Sequence, residues 1–127
     1  DNMRELTDHA TNFEADVVVR VASLDVVEDL VVIRKKLIEF ESILNKLDVL
    51  AGNAPNPNPK LITHDIIPEG NEFKEIVQDL IMVLSDPNLR IRLNGVDIIE
   101  GFLSMPDITA RIINEKELFL FRKLAIS

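Results

Sequence analysis

His64 and Asp65 stand side by side just after the run Asn53 to Lys60, which holds Pro55, Pro57 and Pro59. A histidine beside a carboxylate can act as a general base with its orienter, or as half of a metal site. Adjacent side chains rarely point at one another, and His9 is the chain's other histidine. The partners that a catalytic histidine needs are therefore missing from the pattern. Asp25, Glu28 and Asp29 offer oxygens to a hard cation, but no Asp-x-Asp-x-Asp-Gly calcium loop surrounds them. Asp25 with Glu28 three residues on reads instead as a helix capping box. Arg34, Lys35 and Lys36, and Arg90 with Arg92, are the denser basic spots. Lys35 and Lys36 lie within ion-pairing reach of Glu39 on a helix, as on a solvated face. There is no phosphate-cradling glycine loop, nucleophile elbow, His-Glu-x-x-His or paired-carboxylate spacing. The expectation is no catalytic residue, no metal and no cofactor.

Composition bounds what remains. The 127 residues suit one domain, long enough for a core of its own. Hydrophobic residues make up 46% of the chain, which argues against intrinsic disorder, and four glycines are too few for a turn-rich all-β fold. A net charge of −8 weighs against general binding to nucleic acid or to an anionic membrane, since both need a basic footprint. The most apolar stretch, Val17 to Ile33, is broken by Arg20, Asp25, Glu28 and Asp29, which a membrane span would not tolerate. The absence of cysteine excludes disulfides and thiolate sites and fits an intracellular, cytoplasmic setting. Residues 61–89 are acidic and residues 90–127 mildly basic, an asymmetry suited to a partner of complementary sign or to head-to-tail contact.

The positioning elements read as helices throughout. Residues 3–22 carry Leu6, Ala10, Phe13, Val17 and Val21 on one face. A helix over 25–51 follows, with Val26, Leu30, Ile33, Leu37, Phe40, Leu44, Leu47 and Ala51 in alternating steps of four and three. That is the a/d seam of a coiled coil. Val27, Val31, Val32, Ile38, Ile43 and Leu50 are apolar outside the seam, a breadth that suits a helix buried against two or more neighbours. Gly52 is a natural residue just past its end. Residues 53–70 form a Pro- and Asn-rich loop, longer than most connections in compact domains. Asn71 can cap a helix over 72–85 with Phe73, Ile76, Val77, Leu80, Ile81 and Leu84 inward. Asp86 and Pro87 end it and open a central helix to Leu103, with the apolar face Leu89, Leu93, Val96, Ile99 and Leu103. Met105-Pro106-Asp107 repeats the break before a helix over 108–114, with Ile108, Ile112 and Ile113 inward. A last helix over 118–126 carries Leu118, Phe121 and Leu124. Gly95 inside the central helix points to close helix contact, and Gly101 falls on a different face.

Residues 72–126 resemble an armadillo/HEAT-type repeat. Val83-Leu84-Ser85-Asp86-Pro87 looks like the junction between its paired helices, and Ile91-Arg92 with Gly95 like the step where a small residue lets helices approach. Ile112 and Ile113, followed by Leu118, Phe121 and Leu124, look like the entry to a further repeat. The resemblance implies an all-α fold of five to six helices, an antiparallel helical repeat with a long N-terminal helix pair over 1–52. It also implies a family made mostly of scaffolds, adaptors, transport receptors and assembly chaperones. The Trp and Asn of peptide-binding armadillo grooves are replaced here by Asp97 and Gly101. The expected function is a protein–protein interaction module that acts as scaffold, adaptor or assembly factor and is not an enzyme. Arg90, Arg92, Asp97, Gly101, His64 and Asp65 are its candidate partner-binding residues. The alternative is an oligomerisation domain that self-associates through the 26–51 seam, and an enzyme without a recognisable motif comes third. Residues 118–126 read as half of a helix pair, so the sequence is expected to be part of a longer chain.

Overall fold

A computed structural model describes residues 2–53 and 66–115. It is all-helical over those residues, with five helices: α1 (Met3–Thr11), α2 (Val17–Leu50), α3 (Gly70–Leu84), α4 (Leu89–Leu103) and α5 (Pro106–Asn114). The described residues contain no strand. The expected helix over 118–126 and the expected loop residues His64 and Asp65 lie outside the described residues.

The first expected helix is two. Asn12 Oδ1 accepts the Glu14 amide at 3.1 Å, and Asp16 Oδ1 accepts the Val18 amide at 2.9 Å, which ends one helix and caps the next. This corrects the 3–22 helix: an Asx turn outcompetes the spacing of four that runs through Phe13 and Val17. Both of those residues are exposed. The long helix consequently starts at Val17, so Asp25 and Glu28 lie within it and form no capping box. It spans 34 residues, about 50 Å at 1.5 Å per residue. Gly52 follows its end at φ +86°, a conformation that costs other residues dearly.

Three further starts differ from expectation. α3 begins at Gly70 after Glu69, one residue ahead of Asn71. α4 begins after Asn88, whose Oδ1 accepts the Ile91 amide at 3.2 Å, so Asp86 does not cap it. At α5 the proline sits at the first helical position, and Asp107 lies in the first turn, not at the cap.

α1 packs on α2 and α3, α4 packs on α2 and α3, and α5 packs on α4. The direction of the α2–α4 contact follows from its partners. Arg20 meets Asp86, Asp25 meets Arg90 at 3.5 Å, Glu28 meets Asn94 at 2.9 Å, and Arg34 meets Asp107 at 2.5 Å. Residue numbers rise together on both helices, so α2 and α4 run parallel. α1 pairs with α3 the same way round: Arg4 reaches Glu75 at 2.5 Å and Thr7 reaches Asp79 at 2.9 Å.

Burial has a matching register. Met3, Leu6, Thr7 and Ala10 are buried on α1, and Phe73, Ile76, Val77 and Leu80 are buried at the equivalent steps of α3. Arg20, Ser23, Leu24, Val27 and Val31 on α2 correspond likewise to Ile91, Asn94, Gly95, Ile98 and Phe102 on α4. The core lies between these four rows, with Ile67, Met105, Ile108 and Ile112 closing it towards α5. Phe73 and Phe102 stack across its centre, with ring centroids 6.2 Å apart.

This register corrects the expected face of α4. Leu89, Leu93, Val96 and Leu103 are exposed, and Ile99 is half-buried. The inward row includes Asn94 and Gly95 because each has a specific neighbour. A Cβ on Gly95 would come within 2.8 Å of Val83 Cγ1, and one on Gly101 within 2.5 Å of Val31 Cγ1. Both glycines let a neighbouring helix approach: α3 at Gly95, as expected, and α2 at Gly101. On α5, Ile108 and Ile112 point inward as expected, whereas Ile113 is exposed.

Candidate interaction surface

Three polar clusters fix the helices against one another before any surface is presented. Arg20 and Asp86 form an ion pair with both side chains almost wholly buried. Arg20 Nε also donates to the Ala10 carbonyl at 2.9 Å, and its guanidinium lies 5.0 Å from the centroid of the Phe13 ring. Arg34 reaches Asp107 and donates to Met105 Sδ at 3.2 Å, tying α2 to the start of α5. The hydrogen bond from Arg34, and then its charge, hold the Asp107 carboxyl below the usual carboxylate range against the effect of burial.

Asn94 makes the third cluster. Its Nδ2 donates to Asp25 Oδ1 at 2.8 Å and to Glu28 Oε1 at 2.9 Å. Its Oδ1 is buried and without a partner among the described residues. Burial, and then the charges of Asp97 and Asp25, push the Glu28 carboxyl above its ordinary value. A raised folded-state pKa means that folding favours the neutral form. The associated stability is present below the unfolded pKa and is lost as pH rises through the folded one. Glu28→Gln, which can still accept from Asn94, is expected to melt above the wild type at neutral pH. The gap should close on acidification through the carboxylate range. Thermal melts across that range check it; a gap independent of pH would contradict the assignment.

No group of three metal-ligating side chains is found among the described residues. Nor is any described helix long and apolar enough to cross a membrane. Of the expected partner-binding residues on α4, Arg90 and Asp97 are exposed, Arg90 pairs with Asp25, Arg92 is half-buried, and Gly101 is packed against Val31 of α2. Arg90, Asp97 and Gly101, at steps of seven and four, lie along the side of α4 that meets α2, and Arg92 lies away from them.

The apolar surface that stands out lies on α2. Its inward row, from Arg20 to Arg34, occupies one side of the helix. At about 100° per residue, Val26, Ile33, Phe40, Leu44 and Leu47 fall roughly on the opposite side. These are members of the expected a/d seam, and they are exposed. Past Ile38, which packs partly on the core, the apolar side is the outward one, and it gains Ile43 and Leu50. Leu50 is 83% exposed, Leu47 55% and Phe40 53%. On this distal half the line of the inward row is continued by Ser42, Asn45 and Val49, which border an open groove, with Ser42 and Val49 exposed. The seam was read from the sequence; its outward direction was not, because the polar inward row (Arg20, Ser23, Arg34) follows from partners distant in the chain. The Lys36–Glu39 pair expected on this helix is present at 3.3 Å and exposed.

A second, smaller apolar row lies on the outside of α4, from Leu89 through Leu93 and Val96 to Leu103, interrupted by Glu100. No family model, curated protein or solved structure matches the chain.

Proposed function

We propose that this chain is a protein–protein interaction module: two stacked helical hairpins form a rigid base that holds out the outward stripe of α2 for a helical partner. The observation that carries the reading is the exposure of Phe40, Ile43, Leu44, Leu47 and Leu50 on one side of a single helix. Monomeric proteins rarely leave an apolar patch of that extent in water unless it serves an interaction. A partner helix laid along such a stripe would insert its own apolar residues at three- and four-residue steps.

An armadillo/HEAT-type stack is the architecture we propose for the base. Its support is the parallel α1–α3 and α2–α4 contacts and the burial register repeated from the first hairpin to the second. In such a stack the α4 row from Leu89 to Leu103 would face the next layer or a partner. Scaffold, adaptor and assembly roles in an intracellular setting follow from the resemblance and from the absence of cysteine. A catalytic role has no cluster of side chains to rest on among the described residues.

Comparative affinity capture with the wild type and with Leu44→Asp/Leu47→Asp tests the reading. A partner that depends on these residues should be identified, purified and titrated against both proteins, and its binding should weaken at least tenfold in the variant. The reading is overturned if no partner distinguishes the two proteins while a metal ion or small molecule raises the melting temperature.

A further inference from the structure

The stripe on α2 has a pattern that selects one kind of occupant. Val26, Ile33, Phe40 and Leu47 recur every seven residues and are exposed, with Leu44 and Ala51 interleaved in the distal half. Leu30 packs on the core and Leu37 is half-buried, so the open part of the repeat runs from Ile33 onward. A seven-residue repeat along one helix matches another helix with the same repeat, with each side chain seated between four of the partner's. A second copy of this chain supplies the same repeat over that distal half. The stripe also has the size for it. Phe40, Ile43, Leu44, Leu47 and Leu50 with Ile33 expose on the order of 600 Å², close to the ~800 Å² per partner of a standard interface. It faces away from the two hairpins, so the bases of two copies can stand on either side of a joined pair of α2 helices.

Charge chooses the direction. In the repeat, Lys36 and Glu41 flank the apolar rows five residues apart, the two positions that meet across a parallel pair. A parallel pairing thus sets Lys36 against Glu41 of the second copy. The antiparallel register that overlaps the distal halves would set Glu41 against Asp48 instead, two like charges.

We propose that the chain forms a parallel homodimer through the outward stripe of α2, with its centre between Ile33 and Leu50. This rests on the reading of the stripe as an interaction surface and names its occupant. Sedimentation of the full chain across micromolar concentrations tests it. The wild type should run as a concentration-dependent dimer, and Leu44→Asp/Leu47→Asp as a monomer with an unchanged helical circular dichroism spectrum. The chain has no cysteine, so Phe40→Cys gives a clean test of direction. In a parallel dimer two such residues face one another and form an interchain disulfide on mild oxidation. In the antiparallel register each would face Ala51.

A wild type that stays monomeric throughout overturns the homodimer, and a dimer in which Phe40→Cys does not cross-link overturns the parallel register. A dimer that survives Leu44→Asp/Leu47→Asp overturns the interface. A monomer whose distal α2 amides are already protected from exchange means that another part of the same chain covers the stripe, which also overturns the proposal. If the chain is monomeric and a purified partner still loses affinity for the double variant, the homodimer fails and the interaction reading stands. If neither is observed, both fail.

Discussion

Asp86→Ala is expected to lower the unfolding free energy by about 3–5 kcal/mol, because it leaves the Arg20 guanidinium buried without its counter-charge. The Arg20 side chain is 5% exposed and that of Asp86 1%, so solvent cannot take over the lost partner. The pair also holds three segments at once. Arg20 lies in the first turn of α2, reaches back to the Ala10 carbonyl near the end of α1, and meets Asp86 in the turn between α3 and α4. Asp86 Oδ1 accepts the Asn88 amide at 2.8 Å, which shapes the entry to α4. Its loss adds to the cost.

The pair's specific role separates from its burial in a double variant. Arg20→Met/Asp86→Ala removes the stranded charge and should recover a large part of the deficit, since well-packed apolar replacements of buried ion pairs are often close to neutral. Asp8→Ala, which breaks an exposed pair with Arg4 on α1, should cost less than about 1 kcal/mol. Urea titrations should show these differences as shifts in midpoint with little change in slope.

Phe102→Ala is expected to cost about 3–5 kcal/mol, and Leu103→Ala next to it less than about 0.5 kcal/mol. Phe102 is fully buried and stacked on Phe73, whereas Leu103 is 54% exposed on the outer side of α4. The two substitutions are neighbours in sequence and of the same kind, so their contrast reports the rotation of α4 about its axis. Equal costs would mean that the helix does not present the face described.

That rotation also shows what the sequence discloses and what it hides. α4 is apolar on nearly every side: Ile91, Leu93, Val96, Ile98, Ile99, Phe102 and Leu103 leave more than one row eligible. The row without a polar residue is the natural choice from spacing alone, and it is the one left outside. The buried row contains Asn94, which is acceptable there because Asp25 and Glu28 on α2 accept its amide protons. It also contains Gly95, which lets Val83 and Leu84 come close. Those partners are distant in the chain, and no local pattern announces them. The same holds for Arg20 and Arg34, each buried against an aspartate from the other half.

Local signals were legible where local physics decides. The all-helical class followed from the apolar spacing. The helix end at Gly52, the breaks at Pro87 and Pro106 and the close contact at Gly95 followed from backbone chemistry. The turn at Asn12 and Asp16 was missed because Phe13, Val17 and Val21 continue a spacing of four through it. The candidate site was half legible. The seven-residue rows of α2 were plain in the sequence, but their breadth suggested burial on several sides. Only the packing of α1 and α4 shows that the inward side is the Arg20 row, that Leu30 of the seam packs on the core, and that Val26, Ile33, Phe40, Leu44 and Leu47 face out. Asp97 and Gly101 are suggested by position in a resembling repeat and Arg90 and Arg92 by their charge; that Arg90, Asp97 and Gly101 lie beside α2 is visible only once the helices are packed.

Residue-resolved amide hydrogen exchange along α2, recorded at low and at high protein concentration, tests the central claim most directly. Residues 20–38 carry the row of α2 that packs on α1 and α4 and should be protected equally at both concentrations. Residues 39–50 should exchange readily when dilute and gain protection as the concentration rises, because in the proposed dimer their partner is a second α2. Protection of residues 39–50 that is the same at both concentrations would contradict the account.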